Sequence, residues 1–367
     1  MSVCDGARPS PSDPGRTVPQ VVGPATGGIR THVRCLASGL TQRGIVAPLL
    51  GPAGVLPDGE GAGVVDVPSG ASPVGWWRAR RQLGPWRTDA DIVHAHGIKA
   101  ASIAGSRRGG PPMVMTLHNV PLPDASGRVP VWRTRLTERT LGGATRIIVP
   151  AAWMVDEVPR SHRARVRVVA PAAPAPVVRR DRDAVRADWG VTSDVPVAVC
   201  VARLHPQKGL DALVDAWRVV RSTVPRAELV IVGDGPERAA LERRVADGTT
   251  GVRLFGASAN AADLMAAADV VVISSVWEAL PLVLIEALQL GRPVVSTDVG
   301  VARELLDGDA AGDVVPVGDA PALAAALIDR LTGSRSPGQA GGHVATAERF
   351  APDALIDAVV DVYRELW

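Results

Sequence analysis

Short apolar runs rich in valine and isoleucine alternate with helical patterns along nearly the whole chain. This alternation is typical of βα repeats, in which parallel strands are buried by helices on both faces. Between the runs, apolar residues recur at helical spacing, as in the stripe Ile29, Val33, Leu36 and Leu40. The predicted strands of the first half are 18–22, 45–50, 64–67, 91–94, 113–117 and 146–149, and those of the second half are 195–201, 228–232, 252–255, 269–273, 293–296 and 314–317.

A proline-rich break, APAAPAPVVRRDRD at 170–183, separates the two series. Its prolines prevent regular structure, which indicates an interdomain linker. We predict an α/β protein of two Rossmann-like, doubly wound domains that face each other across a ligand-binding cleft. A final apolar stripe predicts a C-terminal helix that packs back on the N-terminal domain. The predicted segments are a disordered leader (1–16), an N-terminal domain (17–172), a linker (173–184), a C-terminal domain (185–347) and the C-terminal helix (348–367).

Composition excludes several classes of protein. The 367 residues are too many for one ordinary core, and 46% apolar with 21% charged residues indicates a globular rather than a disordered chain. A formal charge of +2 favours neither a nucleic-acid binder nor an acidic tail. The N-terminus lacks the apolar core of a secretory signal, and no run reaches the ~20 apolar residues of a membrane span. The three cysteines have no metal-ligand spacing, so we expect a reduced, cytoplasmic protein.

The sharpest chemical signal is the segment SVWEALPLVLIEAL at 275–288. Glu278 is expected to end a buried strand, Pro281 suits the first turn of the next helix, and Glu286 falls about one turn into that helix. Free amides at the positive helix end can bind phosphate or sugar oxygens, and the two carboxylates can hold hydroxyls. The alternative is that Glu278 caps the helix and Glu286 is a solvated helix residue.

The second signal is the turn RLHPQKG at 203–209, which follows one predicted strand and precedes a helix. Arg203 can bind oxygens in a fork, and Lys208 acts as a point charge. Two cations at a helix N-terminus suit a diphosphate. A solvated basic turn is the alternative.

The turn Arg-x4-Lys-Gly, followed about 70 residues later by Glu-x7-Glu, resembles glycosyltransferase family 4 of the GT-B fold. The resemblance covers nearly the whole chain from Val18 onward. It implies that Arg203 and Lys208 bind the diphosphate of a nucleotide sugar and balance the charge that grows as the nucleotide leaves. It implies further that Glu286 holds the ribose, and that Glu278 with the backbone of Ala279, Leu280, Pro281 and Leu282 holds the transferred sugar.

The first half adds further candidates. Gly27 and Gly28 stand between the first strand and a helix, where glycine lets backbone approach a phosphate or an acceptor closely. A tight βα turn is the alternative reading, but the family has a Gly-Gly at this position. The resemblance also implies that His118, at a strand end beside Asn119, touches the donor sugar. The candidates for the acceptor side of the cleft are Gly27, His96 and Asn119.

Metal binding is not predicted. His94 and His96 are two residues apart along a strand and therefore point to the same side, but no third zinc ligand is evident in the sequence. Asp89 and Asp91 resemble a metal-binding DxD, yet they precede a strand instead of ending one, and the family needs no metal. Gly233-Asp-Gly235 is read as a turn, because the third glycine of a dinucleotide fingerprint is missing.

A segment dense in tryptophan and arginine spans residues 74–87. Such a basic aromatic stretch can lie in a bilayer interface, and family members with lipid acceptors use first-half helices in this way. The alternatives are an acceptor wall and a cation–π-rich surface. The residues proposed for peripheral membrane contact are Trp76, Trp77, Arg78, Arg80 and Arg81.

The predicted function is that of a metal-independent, retaining glycosyltransferase without a bound cofactor, whose co-substrate is a UDP- or GDP-linked sugar. The donor is expected on the second half and an acceptor (lipid, glycan or small molecule) on the first. Rivals on the same architecture are a sugar-nucleotide epimerase, a phosphorylase with a lysine-bound cofactor and a silent sugar-binding partner. Two departures from the family are the Ala/Pro run at 170–176, where Asn-Gly is usual, and Ala279-Leu280, where Gly-Phe is common.

Overall fold

A computed structural model of the chain describes residues 15–24, 28–55, 62–70, 72–105, 109–118, 131–258, 260–306, 312–334 and 347–367. The chain divides into two compact units. One comprises Met1–Pro174 together with Phe350–Trp367, and the other comprises Ala175–Arg349. Each unit is built around one parallel sheet.

The sheet of the first unit has seven strands in the order β3-β2-β1-β4-β5-β6-β7, and every neighbouring pair is parallel. Its strands are β1 (Gln20–Val22), β2 (Leu49–Gly51), β3 (Ala62–Val64), β4 (Val93–His96), β5 (Met113–Thr116), β6 (Arg146–Val149) and β7 (Val166–Val168). The helices along this part of the chain are α1 (Gly28–Gln42), α2 (Pro73–Thr88), α3 (Ile98–Ala104), α4 (Val131–Gly143) and α5 (Met154–Glu157), with a 3₁₀ helix at Arg160–Arg165.

The sheet of the second unit has six strands in the order β10-β9-β8-β11-β12-β13, again parallel throughout. Apolar clusters pack on both of its faces, which explains why its strands read as continuous apolar runs. The strands are β8 (Val197–Val201), β9 (Glu228–Val232), β10 (Val252–Gly256), β11 (Val270–Ile273), β12 (Val294–Thr297) and β13 (Gly312–Val315). The helices are α6 (Arg182–Asp188), α7 (Leu210–Thr223), α8 (Arg238–Ala246), α9 (Ala261–Ala267), α10 (Leu282–Gln289), α11 (Ala302–Leu306) and α12 (Ala320–Leu331), with a 3₁₀ turn at Pro206–Lys208.

The C-terminal helix α13 (Pro352–Arg364) packs on α1 of the first unit, as predicted. Contact is close because Gly39 of α1 has no side chain: a Cβ there would lie 1.9 Å from Cδ1 of Ile356. The buried Arg43 guanidinium donates to the carboxylates of Asp353 and Asp357 at 3.1 and 2.9 Å. Apolar packing and ion pairs thus hold the chain's last helix on the domain formed by its first 174 residues.

The strand predictions hold best where an apolar run is sharply bounded. Strands β6 and β9 have the predicted limits, whereas β2 and β4 lie later in the sequence than predicted, at Leu49–Gly51 and Val93–His96. The short edge strand β7 was not predicted, because Arg167 interrupts its three residues and hides the apolar signal.

The limits of the predicted leader and linker also differ from the structure. Residues 1–14 of the leader lie outside the described residues, but Arg16 is ordered by a 2.6 Å ion pair with Asp91 and by the ring of Trp367. The linker prediction extends to residue 184, whereas α6 already begins at Arg182, where the Asp181 side chain caps the helix by accepting from the amide of Asp183.

Candidate active site

The two motifs of the second half emerge at one point of their sheet. The strand order reverses between the adjacent strands β8 and β11, since one series runs outward from β8 to β10 and the other from β11 to β13. In open parallel sheets, such a switch point opens a crevice at the carboxyl ends of the strands where ligands bind. The Arg203–Lys208 turn follows β8, and the loop that contains Glu278 follows β11.

Hydrogen bonds tie these two loops together. The Val276 amide donates to the Gln207 carbonyl at 2.8 Å, and the Gln207 side chain donates to the Trp277 carbonyl at 2.8 Å. The Ser274 hydroxyl donates to the Lys208 carbonyl, also at 2.8 Å. The position of one motif is therefore fixed by the other, although about 70 residues separate them.

Glycine at position 209 is required by this close approach. Its φ of +60° lies in the left-handed region, and a Cβ added there would be 2.2 Å from the carbonyl oxygen of Ser274. Any side chain at Gly209 would both strain the backbone and push the two loops apart. The sequence Lys-Gly thus sets the spacing between the basic turn and the acidic loop.

Lys208 and Glu278 meet in this junction as an ion pair. Glu278 is mostly buried, with 11% of its side chain exposed, and it also accepts a 3.0 Å hydrogen bond from the Ser275 hydroxyl. The Arg203 side chain is exposed and has no hydrogen-bond or ion-pair partner among the described residues. The Arg203 guanidinium is therefore available to bind an anion, whereas Lys208 of the same turn is paired with a carboxylate.

Helix α10 begins next to this pair. No side chain caps its N-terminus, and the amides of Leu280 and Leu282 have no hydrogen-bond partner within the described part of the chain. Glu286, one turn into the helix, is half-buried, and its side chain likewise has no partner among the described residues. Burial raises the pKa of its carboxyl group. Unsatisfied donors and an unsatisfied acceptor on one helix are the groups that a polar ligand would use.

The first sheet has an equivalent switch point between β1 and β4, and it is lined by histidines. His96, the last residue of β4, lies with Nε2 at 3.1 Å from Oε1 of Gln20 on β1 and with Nδ1 at 3.2 Å from Nε2 of His118. The Gln20 side-chain nitrogen donates to the Val18 carbonyl at 2.9 Å and to the Tyr363 hydroxyl at 3.3 Å.

His94 extends the same network towards the C-terminal helix. Its Nδ1 lies 2.6 Å from the Tyr363 hydroxyl, and its Nε2 lies 2.7 Å from Oγ1 of Thr116. Burial lowers the pKa of His94 to about 3 and holds the pKa values of His96 and His118 well below the usual range. All three rings are therefore neutral at physiological pH.

A third imidazole, which the sequence analysis did not identify, joins His96 and His118. His32 of α1 is buried, its Nδ1 has no hydrogen-bond partner among the described residues, and burial lowers its pKa to about 4. One ring nitrogen from each of His32, His96 and His118 lies within 4.8 Å of the other two. The sequence held no clear signal for this group, because its members come from α1, β4 and the residue two positions after β5.

Comparison with known proteins agrees with the geometry. Residues 26–174 match the model described as Glycosyltransferase Family 4, and residues 195–332 match Glycosyl transferases group 1. The D-inositol 3-phosphate glycosyltransferase of Saccharomonospora viridis is 32% identical over 307 residues, which cover 75% of this chain and 70% of that protein. The chain belongs to glycosyltransferase family 4.

Two further comparisons extend this result. The 2-deoxystreptamine N-acetyl-D-glucosaminyltransferase of Streptomyces fradiae is 30% identical to this chain, and the match covers 74% of this chain and 68% of that enzyme. The crystal structure of Anabaena Alr3699/HepE in complex with UDP-glucose matches with a TM-score of 0.78, at 19% identity, over 95% of this chain and 99% of the other. The architecture is thus the GT-B fold, and the protein is a glycosyltransferase.

The structure places most predicted site residues of the transferase in these two groups. Arg203, Lys208, Glu278 and the start of α10 lie together in the second unit. Two details of the prediction are wrong. Glu278 does not end a strand, because β11 stops at Ile273 and a loop follows, and Pro281 precedes α10 instead of forming its first turn.

The remaining candidates lie in the first unit. Gly28 is the exposed first residue of α1, while Gly27 and Asn119 lie outside the described residues. Asp91 has a structural role: it accepts from Arg16 and from the Thr17 amide at 2.8 Å, and these contacts lower its pKa although burial opposes them.

The Trp/Arg segment of the transferase forms α2, which contains no acidic residue. Val74 and Trp77 are 68% and 62% exposed, and the Arg81 guanidinium lies 5.5 Å from the centre of the Trp77 ring. The Arg80 guanidinium instead donates to the Ser102 carbonyl at 2.9 Å. Among the described residues, no helix combines the length and apolar character needed to cross a bilayer.

Proposed function

We propose that the enzyme moves a hexose from a UDP- or GDP-linked sugar to an acceptor, with retention of the anomeric configuration and without a metal ion. The observation that carries this proposal is the meeting of two cations, two carboxylates and an uncapped helix N-terminus at the switch point of the second sheet. These groups match the chemistry of a nucleotide diphosphate sugar: anionic phosphates, a ribose with hydroxyl groups and a sugar with hydroxyl groups.

In this proposal the donor replaces the Lys208–Glu278 ion pair. The diphosphate takes Lys208 and Arg203 as its counterions, and the released Glu278 carboxylate accepts hydrogen bonds from hydroxyls of the sugar. Glu286 accepts hydrogen bonds from the ribose. The amides of Leu280 and Leu282 donate to sugar or phosphate oxygens. Each of these groups that lacks a partner among the described residues thereby gains one, and the partners of the existing pair are exchanged rather than lost.

Transfer is proposed to follow a front-face route. The bond between the anomeric carbon and the diphosphate breaks as the acceptor oxygen approaches from the same face, and the acceptor proton passes to the leaving phosphate oxygen. Arg203 and Lys208 stabilise the negative charge that grows on this oxygen. Such preorganised electrostatic stabilisation is the main contribution that a protein makes to this kind of step.

The acceptor is proposed to bind to the first unit, and cyclitols are the class to test first. The two curated relatives described above are named for transfer to D-inositol 3-phosphate and to 2-deoxystreptamine, which are both six-membered carbocycles. Of the buried, neutral histidines near the first switch point, His32 has a ring nitrogen, Nδ1, without a hydrogen-bond partner among the described residues, and this ring can form a hydrogen bond with a ring hydroxyl without competing charge.

A direct test incubates the protein with UDP-glucose, UDP-N-acetylglucosamine or GDP-mannose in the presence of inositol, inositol 3-phosphate or 2-deoxystreptamine. Mass spectrometry detects the product, and the anomeric proton coupling in its NMR spectrum gives the stereochemistry. Transfer with retention that is unchanged by EDTA is expected. Conversion of the donor sugar without any acceptor would indicate an epimerase, visible absorbance from a lysine-bound cofactor would indicate a phosphorylase, and donor binding without transfer or hydrolysis would indicate a silent partner.

We further propose that α2 contacts anionic membrane surfaces. Its exposed tryptophan and arginines and its lack of acidic residues fit an interfacial segment. Flotation with liposomes that contain or lack anionic lipid tests this idea. Binding that depends on anionic lipid and is lost when Arg78, Arg80 and Arg81 become Glu is expected. Unchanged binding after this substitution would refute the membrane contact and favour a role of the helix as an acceptor wall.

A further inference from the structure

The hydrogen-bond roles of His96 and His118 in the network around β4 can be assigned step by step, and the starting point is Gln20. One of its side-chain atoms lies 2.9 Å from the Val18 carbonyl, which can only accept, so this atom must be the amide nitrogen. The other side-chain atom is then the oxygen, and it faces Nε2 of His96 at 3.1 Å. Because an amide oxygen also can only accept, Nε2 of His96 carries a hydrogen.

The same argument passes from His96 to His118. A neutral imidazole that carries its hydrogen on Nε2 has a bare lone pair on Nδ1. Nδ1 of His96 lies 3.2 Å from Nε2 of His118, so His118 must supply the hydrogen of this contact. His118 is itself neutral, because burial and the neighbouring His32 and His94 hold its pKa low, and its Nδ1 is therefore an acceptor.

A second branch from Gln20 is consistent with these positions. The amide nitrogen of Gln20 donates to the Tyr363 hydroxyl, and this hydroxyl can direct its own hydrogen to Nδ1 of His94, 2.6 Å away. His94 then carries its hydrogen on Nε2 and donates to Thr116. No two donors and no two acceptors face each other anywhere in the network.

We propose that His96 is a positioning residue for His118. It holds His118 as the neutral ring whose hydrogen is on Nε2, so that Nδ1 accepts a hydrogen bond from a hydroxyl of the bound sugar. This inference rests on the proposed function, because it takes the partner of His118 to be a sugar. Gln20 sets the orientation of His96, and Tyr363 of α13 completes the branch that leads to His94.

A metal ion shared by these atoms is the alternative to this arrangement. The 3.2 Å separation of the two ring nitrogens is close to the roughly 3.4 Å expected for two ligands of one tetrahedral zinc ion with bonds of about 2.1 Å. A metal ion would require lone pairs on both nitrogens, whereas the proposed network places a hydrogen between them. The two arrangements therefore differ in one measurable proton.

Long-range ¹H–¹⁵N correlation spectra of protein labelled with ¹⁵N-histidine at pH 7.5 locate this proton, with single His substitutions for assignment. His94, His96 and His118 are expected to show the pattern of a ring protonated on Nε2. In His96→Leu, His118 loses its acceptor and should show a mixture of tautomers. His96→Asn can place an amide oxygen opposite His118, so it should keep the pattern of the wild type.

Tyr363→Phe is the matched control within the same buried layer. It removes one hydroxyl and should change the pattern of His94, while that of His118 stays as in the wild type, because Gln20 is still held by Val18. Protonation of His118 on Nδ1, an unchanged His118 signal in His96→Leu, or stoichiometric zinc in the purified protein with both facing nitrogens unprotonated would overturn the proposal.

Steady-state kinetics distinguish a positioning role of His96 from a purely structural one. They are measured with the donor that the wild type turns over. In His96→Leu, kcat is expected to fall by roughly 10- to 100-fold with a much smaller change in donor affinity, since the diphosphate and ribose contacts lie in the second unit. His96→Asn should recover part of this loss, and an equal kcat in both variants would contradict the inference. The NMR result does not depend on turnover, so a failure of the proposed function, seen as no transfer by the wild type, is distinguishable from a failure of the network.

Discussion

Lys208 and Glu278 form an ion pair that links the loop after β8 to the loop after β11. Arg203, in the same turn as Lys208, and Glu286, in the helix after Glu278, have side chains without a partner among the described residues. In the absence of donor, the two central charges satisfy each other. The account therefore predicts that substitutions at these positions affect donor binding and turnover more than folding.

Lys208→Met should lower kcat/KM by roughly 10²- to 10³-fold, because it removes one of two cations that face the charge on the leaving diphosphate. Initial rates of transfer measure the effect. Lys208→Arg, which keeps the charge, should retain part of the activity. Near-wild-type transfer by Lys208→Met would refute the role assigned to Lys208, and urea denaturation of both variants checks that folding is intact.

Glu286→Ala should weaken binding of the nucleotide, which isothermal titration with UDP and GDP measures directly. Burial raises the pKa of Glu286, and the ionised carboxylate is the form that accepts from two ribose hydroxyls. Affinity is therefore expected to fall as the pH decreases through this raised pKa. Glu286→Gln should lack this pH dependence while it keeps one acceptor oxygen. Equal affinities of Glu286→Ala and wild type would exclude a ribose contact.

Gly39→Ala tests the packing of α13 on α1. The added methyl group would meet buried Ile356 at 1.9 Å, so we expect a loss of about 1–3 kcal/mol in the free energy of unfolding. Ile356→Val should offset part of this loss in the double variant. Gly142→Ala in α4 is the matched control: Gly142 is exposed and its Cβ would meet nothing within 4 Å, so the higher helix propensity of alanine should give a gain of up to about 1 kcal/mol.

The buried histidines predict a loss of stability in mild acid. The pKa values of His32 and His94 are lowered to about 4 and about 3, so both rings stay neutral in the folded state while the unfolded chain takes up protons below about pH 6.5. The free energy of unfolding should then decrease by about 1.4 kcal/mol per pH unit and per histidine between pH 6.5 and 5.

Urea denaturation at pH 7.5, 6 and 5 measures this dependence. The expected difference between pH 7.5 and pH 5 is about 4 kcal/mol from His32 and His94 together. His94→Gln should show a shallower decrease than the wild type, whatever its stability at pH 7.5. A free energy of unfolding that does not change over this range would show that these rings are accessible to protons in the folded state.

Local patterns in the sequence predict much of the fold and of the donor site. Apolar runs of four to seven residues mark the central strands, and the turn Arg203–Gly209 and the segment with Glu278 and Glu286 are each contiguous. One expectation from the sequence that is wrong is the position of Glu278 relative to its strand. That position depends on contacts of the loop with Gln207, about 70 residues away, which no local pattern reveals.

The histidine network is the part that could not be predicted. Gln20 and Tyr363 are 343 residues apart, and they meet only because α13 returns to the first unit. His32 lies on the buried side of α1 among apolar neighbours, where a lone histidine gives no signal of function. Sheet order, not sequence spacing, brings His96 next to Gln20, because β4 pairs with β1.

A crystal structure of the protein with a bound nucleotide sugar tests the central claim most directly. We expect the diphosphate oxygens within hydrogen-bond distance of the Arg203 guanidinium and the Lys208 ammonium, the Lys208–Glu278 pair opened, and the Glu286 carboxylate on the ribose. A nucleotide bound elsewhere, or bound while Lys208 still pairs with Glu278 and Arg203 points to solvent, would contradict the account.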